Sequence, residues 1–192
     1  MTVSLSKGGS VSLTKEAGSS TLTSVTVGLG WDQSNDSTYD LDLSAVLVGI
    51  NGKASSEADL VFYGALIHPS QSVRHGGDNR TGEGEGDDER IIVDLTAVPA
   101  AVQSIVFIAS IDRATEKGQS FGGVDSAFIR VVNNADAREL ARFDLTDGAA
   151  SDIALSFGEV YRDGGEWKFQ AIGDGYPRGL GQALGNYGIN AE

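Results

Sequence analysis

Two short segments of this chain hold carboxylates at spacings suited to gripping a hard cation. In Asp40-Leu41-Asp42-Leu43, an extended backbone sends both aspartates to one face and both leucines to the other, because side chains alternate along a strand. The leucines then bury while the carboxylates point together. Asp32 ends an apolar run closed by Gly30 and Trp31, and a loop of about seven residues would return its carboxylate to that same face. The second segment, 76–89, interleaves five glycines with Asp78, Glu83, Glu85, Asp87, Asp88 and Glu89. Such a backbone curls tightly and exposes carbonyl oxygens beside its carboxylates.

Oxygen donors in this number favour calcium, which accepts about six to eight oxygens at roughly 2.3–2.6 Å with tolerant geometry, over magnesium, which demands a stricter octahedron. Repulsion sets the scale: two carboxylates about 4 Å apart cost roughly 4 kcal/mol at an effective dielectric near 20. Several converged acids therefore need a cation or proton uptake. The alternative is a pair of solvated acidic loops lying far apart; the glycine interleaving and the aspartate alternation favour metal. The pattern is not an EF-hand. A loop starting at Asp32 has acceptable Ser34 and Asp36, but Ser37 replaces the required glycine and Leu43 stands where a bidentate glutamate belongs.

The wider composition narrows the field. The 192 residues carry 27 acids against 14 lysines and arginines, for a net charge of −13, which disfavours binding to bare phosphate backbone. Ten acids and one base, Arg80, fall in the two segments, so these hold −9 of that charge and the rest is nearly balanced. Cysteine is absent, which closes thiolate metal sites, disulfides and thiol redox chemistry. The only histidines are His68 and His75, too few for a His-rich zinc centre. His75 is expected to support its loop or face solvent, and His68, beside Pro69, to be a turn residue. No apolar run reaches the roughly 18 residues of a membrane helix, and no signal-peptide pattern opens the chain, so a cytoplasmic location is expected.

The elements that must position these acids read as strands. Glycine, at 26 residues, is about twice its average share, and the stretches between glycines are short, β-branched or alternating. Strands are expected at 24–29, 41–50, 59–63, 90–95, 104–111, 127–132, 139–145, 153–162 and 166–172. Val3-Ser4-Leu5-Ser6-Lys7 echoes Val11-Ser12-Leu13-Thr14-Lys15 across Gly8 and Gly9 and reads as a hairpin. Asn51-Gly52, 133–137 and 163–165 read as turns. About ten strands with short links predict an all-β fold, a sandwich of two mainly antiparallel sheets. One or two short helices are expected, at 114–121 and around Leu180, Leu184 and Tyr187. No composition break divides residues 1–192, so one domain is expected. Trp31, Trp167 and Phe169 are expected in the core.

A family resemblance adds to this reading. Gly28-Leu29-Gly30-Trp31-Asp32, Asp40-Leu41-Asp42 and the string from Gly77-Asp78-Asn79-Arg80-Thr81-Gly82-Glu83 to Gly84-Glu85-Gly86-Asp87-Asp88-Glu89 resemble the TerD family of tellurite-resistance and stress-response proteins. Ser120-Phe121-Gly122, Ala127-Phe128-Ile129-Arg130, Phe157-Gly158-Glu159-Val160-Tyr161-Arg162 and Glu166-Trp167-Lys168-Phe169 extend the resemblance over essentially the whole chain. It implies a calcium-binding, non-catalytic β-sandwich in the bacterial cytoplasm, acting with other products of the same resistance operon, a membrane partner among them. By position it implies Asp32, Asp40, Asp42, Asp78, Asn79, Glu83, Asp87, Asp88 and Glu89 as ligands for one or two ions. Leu41 and Gly82 would add backbone carbonyls.

Two other classes compete. Metal-assisted hydrolysis would use His75, Asp78 and nearby carboxylates to hold a water, but neither a Gly-x-Ser-x-Gly elbow nor a phosphate-binding glycine loop occurs. A calcium-dependent glycan-binding sandwich is a fold-level analogy, against which the absent secretion signal counts. Direct reduction of tellurite is not expected of a chain with no thiolate to offer.

Overall fold

The computed structural model describes residues 1–18, 21–32, 39–77, 86–145 and 150–191. From the N-terminus the elements are β1 (Val3–Leu5), β2 (Ser10–Ser12), the helical turn α1 (Leu13–Glu16), β3 (Ser24–Asp32) and β4 (Leu41–Val48). Next come β5 (Leu60–Val61), β6 (Val73–His75), β7 (Glu89–Asp94), β8 (Ser104–Ile111) and the turn α2 (Ala114–Lys117). β9 (Asp125–Asn133), β10 (Glu139–Asp144), β11 (Ala154–Asp163), β12 (Glu166–Tyr176) and α3 (Leu180–Asn186) follow.

The strands form two six-stranded sheets, ordered β1-β10-β9-β3-β7-β6 and β2-β12-β11-β8-β4-β5. Every pairing is antiparallel except that of β1 with β10. This is the expected all-β sandwich with short helices. Strand β9 shows why one face closes: Ala127, Ile129 and Val131 are buried while the residues between them are partly open, the period-2 signature of a half-buried strand. Strand β8 is buried at all eight positions. Its Ile105, Phe107 and Ala109 enter the core between the sheets, and Val106 and Ile108 pack on the other face with Ala183 and Leu184 of α3. The terminal helix thus covers the outside of the second sheet. Among the described residues, no helix is long and apolar enough to cross a membrane.

The N-terminal echo does not form a hairpin. β1 pairs with β10, Val3 opposite Ala141, while β2 pairs with β12, Val11 opposite Phe169, so the two copies lie in different sheets. Each copy covers an otherwise open edge, whereas a hairpin of the two would leave both edges unpaired. Gly8, at φ +82, lets the chain step between layers, with Gly8 N–H donating to the Ala171 carbonyl at 2.8 Å. The second copy stops being a strand at Leu13, because Ser12 Oγ accepts from Lys15 N–H at 3.2 Å and caps a helical turn.

Strand β6, Val-Arg-His, is too short and polar to have been legible, and β5 is shorter than the expected 59–63. Asp59 closes a capped 3-10 turn instead, completing a capping box with Ser56. His68 does open a turn, its carbonyl accepting from Gln71 N–H at 2.8 Å. Its ring, however, is buried: Nε2 lies 3.0 Å from Asp59 Oδ1, and Nδ1 accepts from Ser70 N–H at 3.1 Å. Trp31 and Phe169 are buried in the main core, with Trp167 packed against it.

Candidate metal centre

The acid-bearing elements meet where the first sheet faces the open side of β4. β3 and β7 run antiparallel with Leu29 opposite Glu89, and that register assigns the last three acids of the glycine-rich segment to three different surroundings. Asp87 lies on the outer face of the first sheet over Gly28, whose absent Cβ leaves room for the carboxylate. There Arg130 Nε donates to Asp87 Oδ1 at 2.6 Å, and the Arg130 guanidinium also reaches Glu139 at 3.0 Å. Asp88 joins the β3 backbone, donating its N–H to the Leu29 carbonyl at 2.9 Å and accepting from Trp31 N–H at 3.0 Å. Glu89 turns inward and is buried, and its Oε2 accepts from Leu43 N–H on β4 at 2.6 Å.

Strand β4 carries the other segment with the expected alternation. Leu41 and Leu43 are wholly buried in the inter-sheet core, and the half-buried Asp42 occupies the opposite face. Asp42 borders a surface cleft of about 350 Å³ shared with Tyr63, Ser110, Asp112, Arg113 and Glu116. The Asp40 carbonyl accepts from Asp112 N–H at 2.8 Å, fixing the backbone where β4 begins. The two acidic segments therefore touch directly, through the Leu43 and Glu89 bond.

Charge accumulates at this seam. Burial pushes the Asp88 carboxyl above the usual aspartate range, and the charges of Asp87, Asp32 and Glu89 add to the rise, against the opposing hydrogen bond from Trp31. A cation would relieve that repulsion, and the donors at hand are oxygens, the set calcium prefers. Among the described residues, though, no three Asp, Glu or His side chains stand close enough to hold an ion by themselves. Asp78, Asn79, Gly82 and Glu83 lie outside the described residues. Asp32, Asp40, Leu41, Asp42, Asp87, Asp88 and Glu89 lie within them, and of these Asp87 is already paired with Arg130.

Two residues outside the implied ligand set matter here. His75 is buried, with Nε2 3.1 Å from the Leu43 carbonyl and 3.4 Å from Glu89 Oε2; it supports the loop and does not face solvent. Burial opposes charging its ring, but Glu89, the Leu43 carbonyl and the more distant Asp42 outweigh this and raise its pKa. Val73-Arg74-His75 alternates buried, exposed, buried, but three residues are too few for the sequence to have shown it. Arg130, the partner of Asp87, sits at an outward position of an alternating strand, and the sequence gives no hint of what it would pair with.

Comparison with known proteins agrees on one family. A model described as the TerD domain matches residues 1–187. The chain is 51% identical over 194 residues to tellurium resistance protein TerD of Serratia marcescens, covering 100% of both chains. It is 45% identical over 192 residues to general stress protein 16U of Bacillus subtilis (strain 168), covering 98% of each. A crystal structure of the unknown function protein SAV2460 superimposes with a TM-score of 0.70 at 24% identity, over 85% of this chain and 95% of that one, which shows a shared fold.

Proposed function

This chain belongs to the TerD family, and from that premise we propose that it is a non-catalytic, calcium-binding stress-response module in which the ion orders acidic loops for partner recognition. One observation carries the reading. The bond from Leu43 N–H to Glu89 joins the two segments that hold most of the net charge. A divalent ion at that seam would offset their mutual repulsion and tie the loops together.

The proposed ligands are Asp32, Asp40, Asp42 and Asp88, with the Leu41 carbonyl and with Asp78, Asn79, Glu83 and the Gly82 carbonyl from the adjoining stretch, around one or two ions. Asp87 and Glu89, each already bonded to another strand, hold the stretch in place. The relatives' names attach to tellurium resistance and general stress. The corresponding partners would be other products of a resistance operon, one of them in the membrane, met by this protein at its cytoplasmic face. Hydrolysis is disfavoured because His75 is buried and bonded to β4, out of reach of a substrate.

Thermal unfolding with calcium and with chelator tests the proposal. At free calcium a hundredfold above the dissociation constant, one site adds about 2.7 kcal/mol, or roughly 5–10 °C in Tm for a chain of this length. Substituting Asp40 and Asp42 with asparagine should remove most of that gain. Unchanged melting together with no calorimetric heat of binding would end the calcium reading.

A further inference from the structure

We infer that His75 and Glu89 form a side-chain bridge that completes the open edge of β4 at Leu43 and thereby positions both acidic segments for the ion. The inference rests on the calcium reading for its purpose, and on the described geometry for the bridge itself.

β8 pairs with β4 from Leu41 to Val48, but on the other side β5 reaches only Ala45 and Val46. Residues two apart on a strand direct their N–H and C=O to the same side, so Leu43 turns toward the side where Ala45 meets β5, yet among the described residues no strand continues there. Two side chains from the opposite sheet take that place. Glu89 Oε2 accepts the Leu43 N–H at 2.6 Å, and His75 Nε2 lies 3.1 Å from the Leu43 carbonyl. The two side chains are 1% and 0% exposed and 3.4 Å apart.

The imidazole has a third contact. Gly77 N–H donates to His75 Nδ1 at 3.0 Å, which makes Nδ1 an acceptor and puts the ring proton on Nε2, where it is given to Leu43. His75 and Glu89 flank the acidic stretch on its two sides in sequence, and Gly76 N–H donates to the Arg90 carbonyl at 2.7 Å. Both ends of the stretch and the strand bearing Asp42 are thus tied to one buried pair. Displacing the pair would let β4 and the acidic stretch move independently, so ligands from the two would no longer be held in register. Outer partners that orient metal ligands typically account for about 10–100-fold in affinity.

The test uses the full chain and calcium alone. Hydrogen exchange at the Leu43 amide is measured in chelator, and the calcium dissociation constant by calorimetry, for wild type, His75→Ala, His75→Gln and Glu89→Gln. His75→Gln keeps an N–H near the Nε2 position, and Glu89→Gln keeps an acceptor for Leu43. His75→Ala is expected to lose at least about tenfold of the Leu43 protection and to weaken calcium by about 10–100-fold, with both glutamine variants recovering most of each loss. Should His75→Ala not fold, the glutamine pair against wild type carries the comparison, and loss of protection in both of them would overturn the bridge. Unprotected Leu43 in the wild type would overturn it as well. Equal calcium affinity across the folded variants would overturn its positioning role. A wild type that takes up no calcium, while Leu43 exchange still depends on His75, would overturn the metal reading and leave the bridge standing.

Discussion

Gly28→Ala tests the anchoring of the acidic stretch without altering a charge. Gly28 sits on the outer face of β3, opposite Arg130 of β9, and an added Cβ would overlap the Asp87 carboxylate. The backbone there is ordinary strand, so alanine introduces no conformational strain, and restriction of the unfolded chain should favour it by about 0.4–1 kcal/mol. Against that stands the 2.6 Å bond from Arg130 to Asp87, between side chains 28% and 5% exposed. A hydrogen bond to a charged group contributes about 1.5–3 kcal/mol. Arg130 keeps its second partner, Glu139, at 3.0 Å, which places the loss toward the lower half of that range. The net expectation is about 1–2 kcal/mol of destabilisation by urea titration in chelator. In an Asp87→Ala background nothing is left to displace, and the same substitution should become stabilising by about 0.4–1 kcal/mol, a coupling of about 1.5–3 kcal/mol in a double-mutant cycle. An equal cost in both backgrounds would refute the overlap as its source.

Two further expectations concern regions away from the acidic seam. Burial would raise the Asp59 carboxyl, but hydrogen bonds from Ser55, His68 and Ser56 outweigh it and hold the group below the usual aspartate value. Its contribution is therefore present above the unfolded-state pKa and lost as pH falls through the lower folded-state value. Asp59→Asn should cost about 1–3 kcal/mol at neutral pH, since its amide cannot accept from both His68 and the Ser55 and Ser56 amides, and the gap to wild type should narrow as acid protonates the folded-state carboxylate; a constant gap would refute the assignment. Leu184→Ala, at a position 2% exposed where α3 covers β8, should cost about 2–5 kcal/mol while the calcium-induced gain in stability stays as in wild type. Loss of that gain would show that α3 and the seam are coupled.

What was legible in the sequence was whatever one strand decides alone. The run 104–111 reads as a buried strand because apolar residues fill both of its faces, and it is one, with matching ends. The alternation of Leu41, Asp42 and Leu43 reads correctly because Leu41 and Leu43 have one buried face to go to. What failed depended on a second strand. The repeated Val-Ser-Leu motif contains nothing to say which of two distant edges, β10 or β12, each copy will join. The fate of the three terminal acids was equally hidden, because a shift of one residue in the β3 and β7 pairing would exchange inward and outward sides. The role of His75 required knowing that β5 stops short of Leu43.

That register gives the run of like charge a double use. Asp87, Asp88 and Glu89 are consecutive, yet their carboxylates reach Arg130 on β9, the Trp31 amide on β3 and the Leu43 amide on β4. A flexible acidic loop would spread its charges into water and minimise repulsion. Here the backbone pairing holds Asp88 and Glu89 beside one another under burial, and the cost is visible in the raised Asp88 carboxyl. Two backbone amides and one guanidinium offset part of that cost by bonding to the ionised forms. The charges of Asp32 and Asp88 lie together on the β3 side. A cation binding at that point would act on strands from both sheets at once, since Glu89 connects the same three-residue run to β4. The fold thus converts a local excess of charge into a junction between its two layers.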